Sequence, residues 1–393
     1  MSEKKPSYFV TGTRLSAMMF LEFFVWGAWY VTVGNYMNAN NMGTMIAWAY
    51  SLCPIGAIIS PFFLGMVADR FFATERVLAV LHIVGGIALV LTPMAAQASP
   101  TVFILVLLVH TICYMPTLGL TNSLSFHHME NPEKQFPIVR VFGTIGWIVA
   151  NIVVSKIFHG DTKPIQFYIA GVAGLALGLY SFTLPHTPPP AAGKKANVRD
   201  ILGLDSLALL KQPSFAVFII SSFLICIPLA FYYSFAPVFV NSTGVPDPAF
   251  NMSFGQMSEV FFMLVMPFFF MLLGVKWMLL LGMLSWVVRY GLFAAYTQHP
   301  IFGLVIGGIV LHGLCYDFFF VTGQIYVDEV ASVKIRSQAQ GFLVLVTQGL
   351  GMLIGAQLAG WLVAINTVQG QVQWFRVWMI PCVAAAVIMV LFA

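Results

Sequence analysis

Charge is what this chain has least of. Asp, Glu, Lys and Arg make up 8% of its 393 residues, against about 25% in ordinary soluble domains; a solvated globular surface is excluded. The net charge of +4 is not gathered into a patch, so nucleic acid is excluded as a partner. Cysteine is also scarce. Cys53, Cys113, Cys226, Cys315 and Cys382 all fall in apolar stretches without metal-ligand spacing, and they read as small buried hydrophobes. The His and Asp residues lack metal spacing and no Ser/His/Asp arrangement is apparent, which argues against an enzyme or a bound metal or cofactor. A cleavable leader is missing too: the first apolar run is of spanning length, has no small-x-small exit, and reads as a retained helix.

What the chain has is hydrophobicity, 60% of its residues. Runs of about 20 apolar residues, the length that crosses a bilayer, lie at 15–37, 45–67, 77–96, 102–122, 138–158, 165–185, 214–240, 254–273, 278–296, 301–326, 338–365 and 374–393. The expectation is an all-α, multi-pass membrane protein of twelve helices. The last run stops at Ala393 without a charged flank, so the native chain is expected to continue. With the N-terminus in the cytoplasm, the inner loops hold Lys4, Lys5, Arg14, Arg70, Arg76, Lys134, Lys194, Lys195, Arg199, Lys211, Lys276, Lys334 and Arg336, and the outer ones only Lys156, Lys163 and Arg376. That asymmetry is the positive-inside bias.

The longest polar interruption, from His186, runs through three prolines into Ile201–Lys211, which reads as an amphipathic surface helix. It divides the chain into a six-helix bundle at 1–185, a linker at 186–213 and a second bundle at 214–393. An internal echo agrees: His110-Thr-Ile-Cys-Tyr114 recurs as His312-Gly-Leu-Cys-Tyr316, and Pro61-Phe-Phe as Pro267-Phe-Phe. Such a duplication resembles the major facilitator transporters. Gly65-Met-Val-Ala-Asp69-Arg70, with Arg76, resembles that superfamily's loop signature and marks a candidate gating element.

Further stretches are more specific. Leu21–Trp29, Tyr114–Asn122, Phe136–Trp147, Leu202–Asp205, Gln256–Glu259 and Tyr316–Phe319 resemble the nucleoside:proton symporter family, and the block around Arg140 most of all. The resemblance implies a bacterial inner-membrane importer that moves nucleosides with protons, with substrate contacts at Gln256 and Glu259. It is expected to act as a monomer in the lipid bilayer. One departure stands out: midway along span seven, where such symporters can present amides to a base, this chain reads Ile227-Pro-Leu-Ala-Phe-Tyr-Tyr233. That leaves a sugar or another small polar solute as an alternative cargo. A receptor that binds without transporting is a third reading.

The residues themselves point to a polar site inside the membrane. A charge at the bilayer centre costs about 2.5 kcal/mol or more, yet Glu22, Glu259, Asp317, Arg140 and Arg289 all lie in apolar spans. Arg140, Thr144, Trp147 and Asn151 share one helix face, offering a cation, a hydroxyl, an aromatic plane and an amide suited to a ribose and a stacked base; the alternative is an Arg140 that snorkels to the interface. Gln256 and Glu259 lie one turn apart and can hold two hydroxyls or read a base edge, unless Glu259 pairs with Arg289. His312, Tyr316, Phe319 and Gly323 form one stripe of span ten, with Asp317 on another. The aromatic stripe is assigned to substrate packing and Asp317 to the proton. Tyr232 or Tyr233 can stack on a base, and Trp26 lies near Glu22, Trp29 and Tyr30 on span one. Glu22 is open between a gate salt bridge and proton transfer, Glu259 between substrate and proton. His82 reads as a hydrogen-bonded packing residue.

Overall fold

The computed structural model describes residues 8–64, 69–189, 204–332 and 335–393. Among them ten helices are long and apolar enough to cross a membrane, and an eleventh, Ile165–Ser181, is apolar but shorter. In chain order they are α1 (Tyr8–Tyr30), α2 (Ile46–Phe63), α3 (Thr74–Ala98), α4 (Pro100–His127), α5 (Pro132–Ile152) and α6 (Ile165–Ser181). Then come α7 (Pro213–Ser242), α8 (Pro248–Gln298), α9 (Phe302–Val330), α10 (Arg336–Ile365) and α11 (Trp374–Phe392). Within α9 and α10, π-helical turns occupy Asp317–Val321 and Leu345–Gly351. A small hairpin pairs β1 (Thr367–Val368) antiparallel with β2 (Gln371–Val372).

Two expected spans, 254–273 and 278–296, emerge as a single stretch of 51 helical residues, broken at Gly274 (φ 65°, ψ 176°). Only glycine adopts that backbone without strain, so the sequence itself marks where α8 reverses. The expected surface helix is a 3₁₀ segment, Leu204–Lys211; its first residues, and Gly65 of the candidate gating loop, lie outside the described residues.

Contacts divide the chain into two compact units, Met1–Tyr36 with Ile59–Ala196 and Met37–Ile58 with Asn197–Ala393. In the first, Leu15, Met18, Leu78, Leu120, Leu124 and Leu177 form an apolar core. Its helices meet backbone to backbone: a Cβ on Gly86 would lie 2.9 Å from the Leu175 nitrogen and one on Gly171 2.9 Å from the Gly86 oxygen, so α3 and α6 touch along small residues. Lipid offers no hydrophobic drive between helices, and close packing of this kind holds them instead. In the second unit Met266, Met278 and Phe318 form one apolar cluster, with Phe262 and Phe269 against them, and Gly355 of α10 packs on Ala230 of α7.

Candidate substrate and proton site

In the first unit the apolar stretch of α1 carries one acid inward. Glu22 is fully buried. Its Oε2 lies 2.8 Å from Nε2 of His82 on α3, and the Thr117 hydroxyl on α4 sits 2.5 Å from both its Oε1 and the Tyr114 carbonyl. The Tyr114 hydroxyl donates to the Glu22 backbone carbonyl at 2.7 Å. The partner of Glu22 is thus the His82 imidazole, and His82 is buried and hydrogen-bonded, as expected.

Beside this pair stands an aromatic wall. Trp26 lies edge-on to Trp147 (5.3 Å between centroids) and to Tyr30 (5.5 Å), and 5.6 Å from Tyr114; His110 stacks on Tyr114 at 5.5 Å. A Cβ on Gly27 would be 3.1 Å from the Trp147 Cα, so glycine lets α1 and α5 close up and bring the two tryptophans together. The indole N–H groups of Trp26 and Trp147 are buried without a hydrogen-bond partner, as are both amide atoms of Asn151. Arg140 and Thr144 are half-buried, and the Arg140 guanidinium stacks 4.1 Å over the Phe23 ring, a cation–π contact that keeps it against α1.

The second unit has a looser arrangement. Glu259 on α8 is 15% exposed, with Oε2 4.0 Å from Nε2 of His312 on α9. The His312 ring stacks on Tyr232 (5.3 Å), meets Tyr233 edge-on (6.0 Å) and lies 5.8 Å from Tyr316. Gln256 is half-buried, and its Oε1 has no hydrogen-bond partner. Asp317 is fully buried and neither carboxyl oxygen has a partner. A buried polar group left in that state is costly and calls for an explanation.

Arg289, weighed above as an alternative partner of Glu259, donates from Nε to the Gly308 carbonyl at 3.0 Å and covers the Tyr232 ring with its guanidinium at 4.0 Å, its two terminal nitrogens making no hydrogen bond. One expectation is corrected here. Phe319 does not continue the His312–Tyr316 stripe. The π-turn beginning at Asp317 shifts the helical register, so Tyr316 meets Phe320 at 5.2 Å while Phe319 packs on Trp286 and Gly282, and Gly323 faces Phe218.

Of the candidate gating loop, Asp69 and Arg70 lie in a short helical turn and Arg76 is exposed at the start of α3. An unforeseen cluster adjoins it. Buried Glu75 accepts from the Thr187 backbone N–H and pairs with His186 Nδ1, each at 2.9 Å, and the Thr187 hydroxyl lies 2.9 Å from His128 Nε2. Burial, reinforced by neighbouring His127, holds His128 below the usual histidine range.

This geometry has known counterparts. The profile described as "Nucleoside H+ symporter" matches residues 9–393. The transporter YegT of Escherichia coli K12 is 39% identical over 97% of this chain and 93% of its own length. Nucleoside permease NupG and xanthosine permease of the same organism are 35% and 34% identical, each over 93% of this chain and 91% of its own. The crystal structure of nucleoside transporter NupG superposes with a TM-score of 0.87 at 33% identity, covering 97% of this chain and 98% of that one. A D-xylose–proton symporter, at 14% identity and a TM-score of 0.70, shares the fold alone. The chain is a multi-pass membrane transporter and not an enzyme, and it belongs to the nucleoside H+ symporter family.

Proposed function

We propose that this protein imports nucleosides together with protons across the bacterial inner membrane by alternating access, N-terminus in the cytoplasm. The ten long helices, the shorter Ile165–Ser181 and the reversal at Gly274 support twelve spans, six in 1–185 and six in 214–393, joined by 186–213. The substrate residues are Trp26, Arg140, Thr144 and Trp147 in the first unit and Gln256, Glu259, Tyr233 and Tyr316 in the second. Unpartnered indole and amide groups supply donors and acceptors for hydroxyls and base edges, and the aromatic planes supply stacking. Gly65, Asp69, Arg70 and Arg76 form the gating loop.

The observation that carries the reading is Asp317, fully buried with both carboxyl oxygens unpartnered. An isolated buried carboxylate is disfavoured, so the group takes a proton when dry and releases it when its surroundings open to water. Asp317 is the coupling acid, Glu259 beside His312 chiefly holds substrate, and Glu22 is a third acid with a different setting. The test is uptake of labelled adenosine, cytidine, guanosine, uridine and xanthosine into proteoliposomes with and without an inward proton gradient, competed by free bases and sugars. Accumulation that ignores the gradient, or a sugar as the best competitor, overturns it. The sugar alternative rests on Ile227–Tyr233, which offers no amide.

A further inference from the structure

We infer that Arg289 is the centre of a binding site for a small monovalent anion of halide size, built where α7, α8 and α9 meet in the second unit. Among the described residues it is the one lysine or arginine that is buried, at 0% exposure, and no carboxylate there pairs with it. Nε bonds the Gly308 carbonyl of α9 at 3.0 Å, while Nη1 and Nη2 have no hydrogen-bond partner.

A guanidinium keeps its charge in a protein and carries several N–H donors, so its burial leaves both donors and charge to be met. Carbonyls or water satisfy donors. They do not cancel a charge, and an uncompensated ion in a low-dielectric interior is among the costliest things a fold can hold. The Tyr232 ring of α7, 4.0 Å from the guanidinium carbon, offsets part of that cost, but a ring quadrupole is not a counter-ion. Of the acids in this unit's spans, Glu259 faces His312 at 4.0 Å, and neither oxygen of Asp317 has a partner.

The groups around Arg289 are donors rather than acceptors. The indole N–H of Trp286, one turn earlier on α8 and 0% exposed, and the Tyr232 hydroxyl, at 1%, are likewise unpartnered; Tyr290 gives its hydroxyl hydrogen to the Pro228 carbonyl at 2.6 Å. Unspent N–H and O–H groups beside a fixed positive charge are the chemistry that takes an anion, and they repel a metal cation. The close approach of α8 and α9, where a Cβ on Gly308 would strike the Phe293 ring, favours a single-atom ion over a phosphate or an organic acid. Tyr232 stacks on His312, so the site lies behind the proposed substrate wall without belonging to it, and the inference stands whatever the cargo. Because the ion joins contacts from α7, α8 and α9 at one charge, its occupancy registers as stability.

The test uses the full chain purified in detergent with gluconate in place of chloride throughout, chloride being returned at constant ionic strength. The thermal midpoint of the wild type is expected to rise by about 3 °C at about 0.15 M chloride and to saturate, with bromide equivalent. Arg289→Gln, which keeps an amide donor and drops the charge, should unfold at one temperature in both salts to within about 0.5 °C. Lys211→Gln, at an exposed cation just before α7, should keep the wild-type rise and so separates a specific site from general screening. Should Arg289→Gln not fold, crystals of the wild type grown in bromide locate the ion directly, as an anomalous peak beside the Arg289 Nη atoms. No rise in the wild type, a rise kept in Arg289→Gln or lost in Lys211→Gln, or a bromide map without that peak overturns the inference.

Discussion

Two buried acids, one in each unit, meet opposite fates. Glu22 in the first unit is clasped by an imidazole and a hydroxyl, its backbone carbonyl by a tyrosine. Asp317 in the second sits at the head of a π-turn with neither oxygen engaged. The echoed His-x-x-Cys-Tyr sequences differ in their contacts: His110 stacks on Tyr114 and bonds a carbonyl of α3, whereas His312 stacks on Tyr232, and each ring keeps one nitrogen unpartnered. The lesson is that one helical plan engages the buried acid of one unit and leaves that of the other unpartnered, although both units hold further buried polar atoms without partners.

The strongest way to break this contrast is to neutralise the acids of the second unit in turn. Asp317→Asn should abolish gradient-driven accumulation, a loss of at least about a hundredfold, yet retain counterflow exchange, because the amide fills the site without carrying a proton. Accumulation surviving in Asp317→Asn but lost in Glu259→Gln would reverse the two roles. Glu259→Gln is expected to weaken nucleoside binding about tenfold, or about 1.4 kcal/mol, since it removes the acid beside His312 that is proposed to hold substrate. Calorimetry in detergent decides it; unchanged affinity moves Glu259 out of the binding wall.

Smaller effects sharpen the comparison. Arg140→Ala and Gln256→Ala each withdraw one hydrogen-bonding group from a wall and should cost about 1–3 kcal/mol of binding where a substrate group is left unpaired, with thermal unfolding unchanged. Binding insensitive to both places the substrate elsewhere. The slightest change is expected from Tyr233→Phe, which keeps stacking and drops a hydroxyl: the ranking of bases in competition should blur while affinity for the best one shifts less than threefold. An unaltered ranking makes Tyr233 a packing residue.

Much of this was legible in the sequence because bilayers impose a simple length rule. Apolar runs gave the helices, and the short gap around Gly274 marked a break that the backbone fulfils with a single residue. Arg140, Trp147, Gln256, Glu259 and Asp317 stood out because polar groups are costly where they sit. Pairing was not legible. Glu22 finds His82 sixty positions away, and periodicity along one helix carries no information about its neighbour. Nor was the π-turn, since a 3.6-residue wheel assumes the register that the turn shifts; Phe319 was misassigned for that reason. Glu75 and Thr187, 112 positions apart, were missed because one of the partners is a backbone N–H.

The reversal at Gly274 has one more consequence. Fifty-one helical residues at 1.5 Å each would reach about 76 Å, more than twice the hydrocarbon thickness, so the chain must turn, and it does so with no loop to spare. Nothing lies within 4 Å of the place a Cβ would occupy; space is not what reserves the position for glycine. The requirement is one of handedness. A D-alanine built in by chemical ligation has its preferred conformations where this backbone lies, and should be accepted or even stiffen the corner, whereas its L-enantiomer, identical in volume and polarity, should spring it.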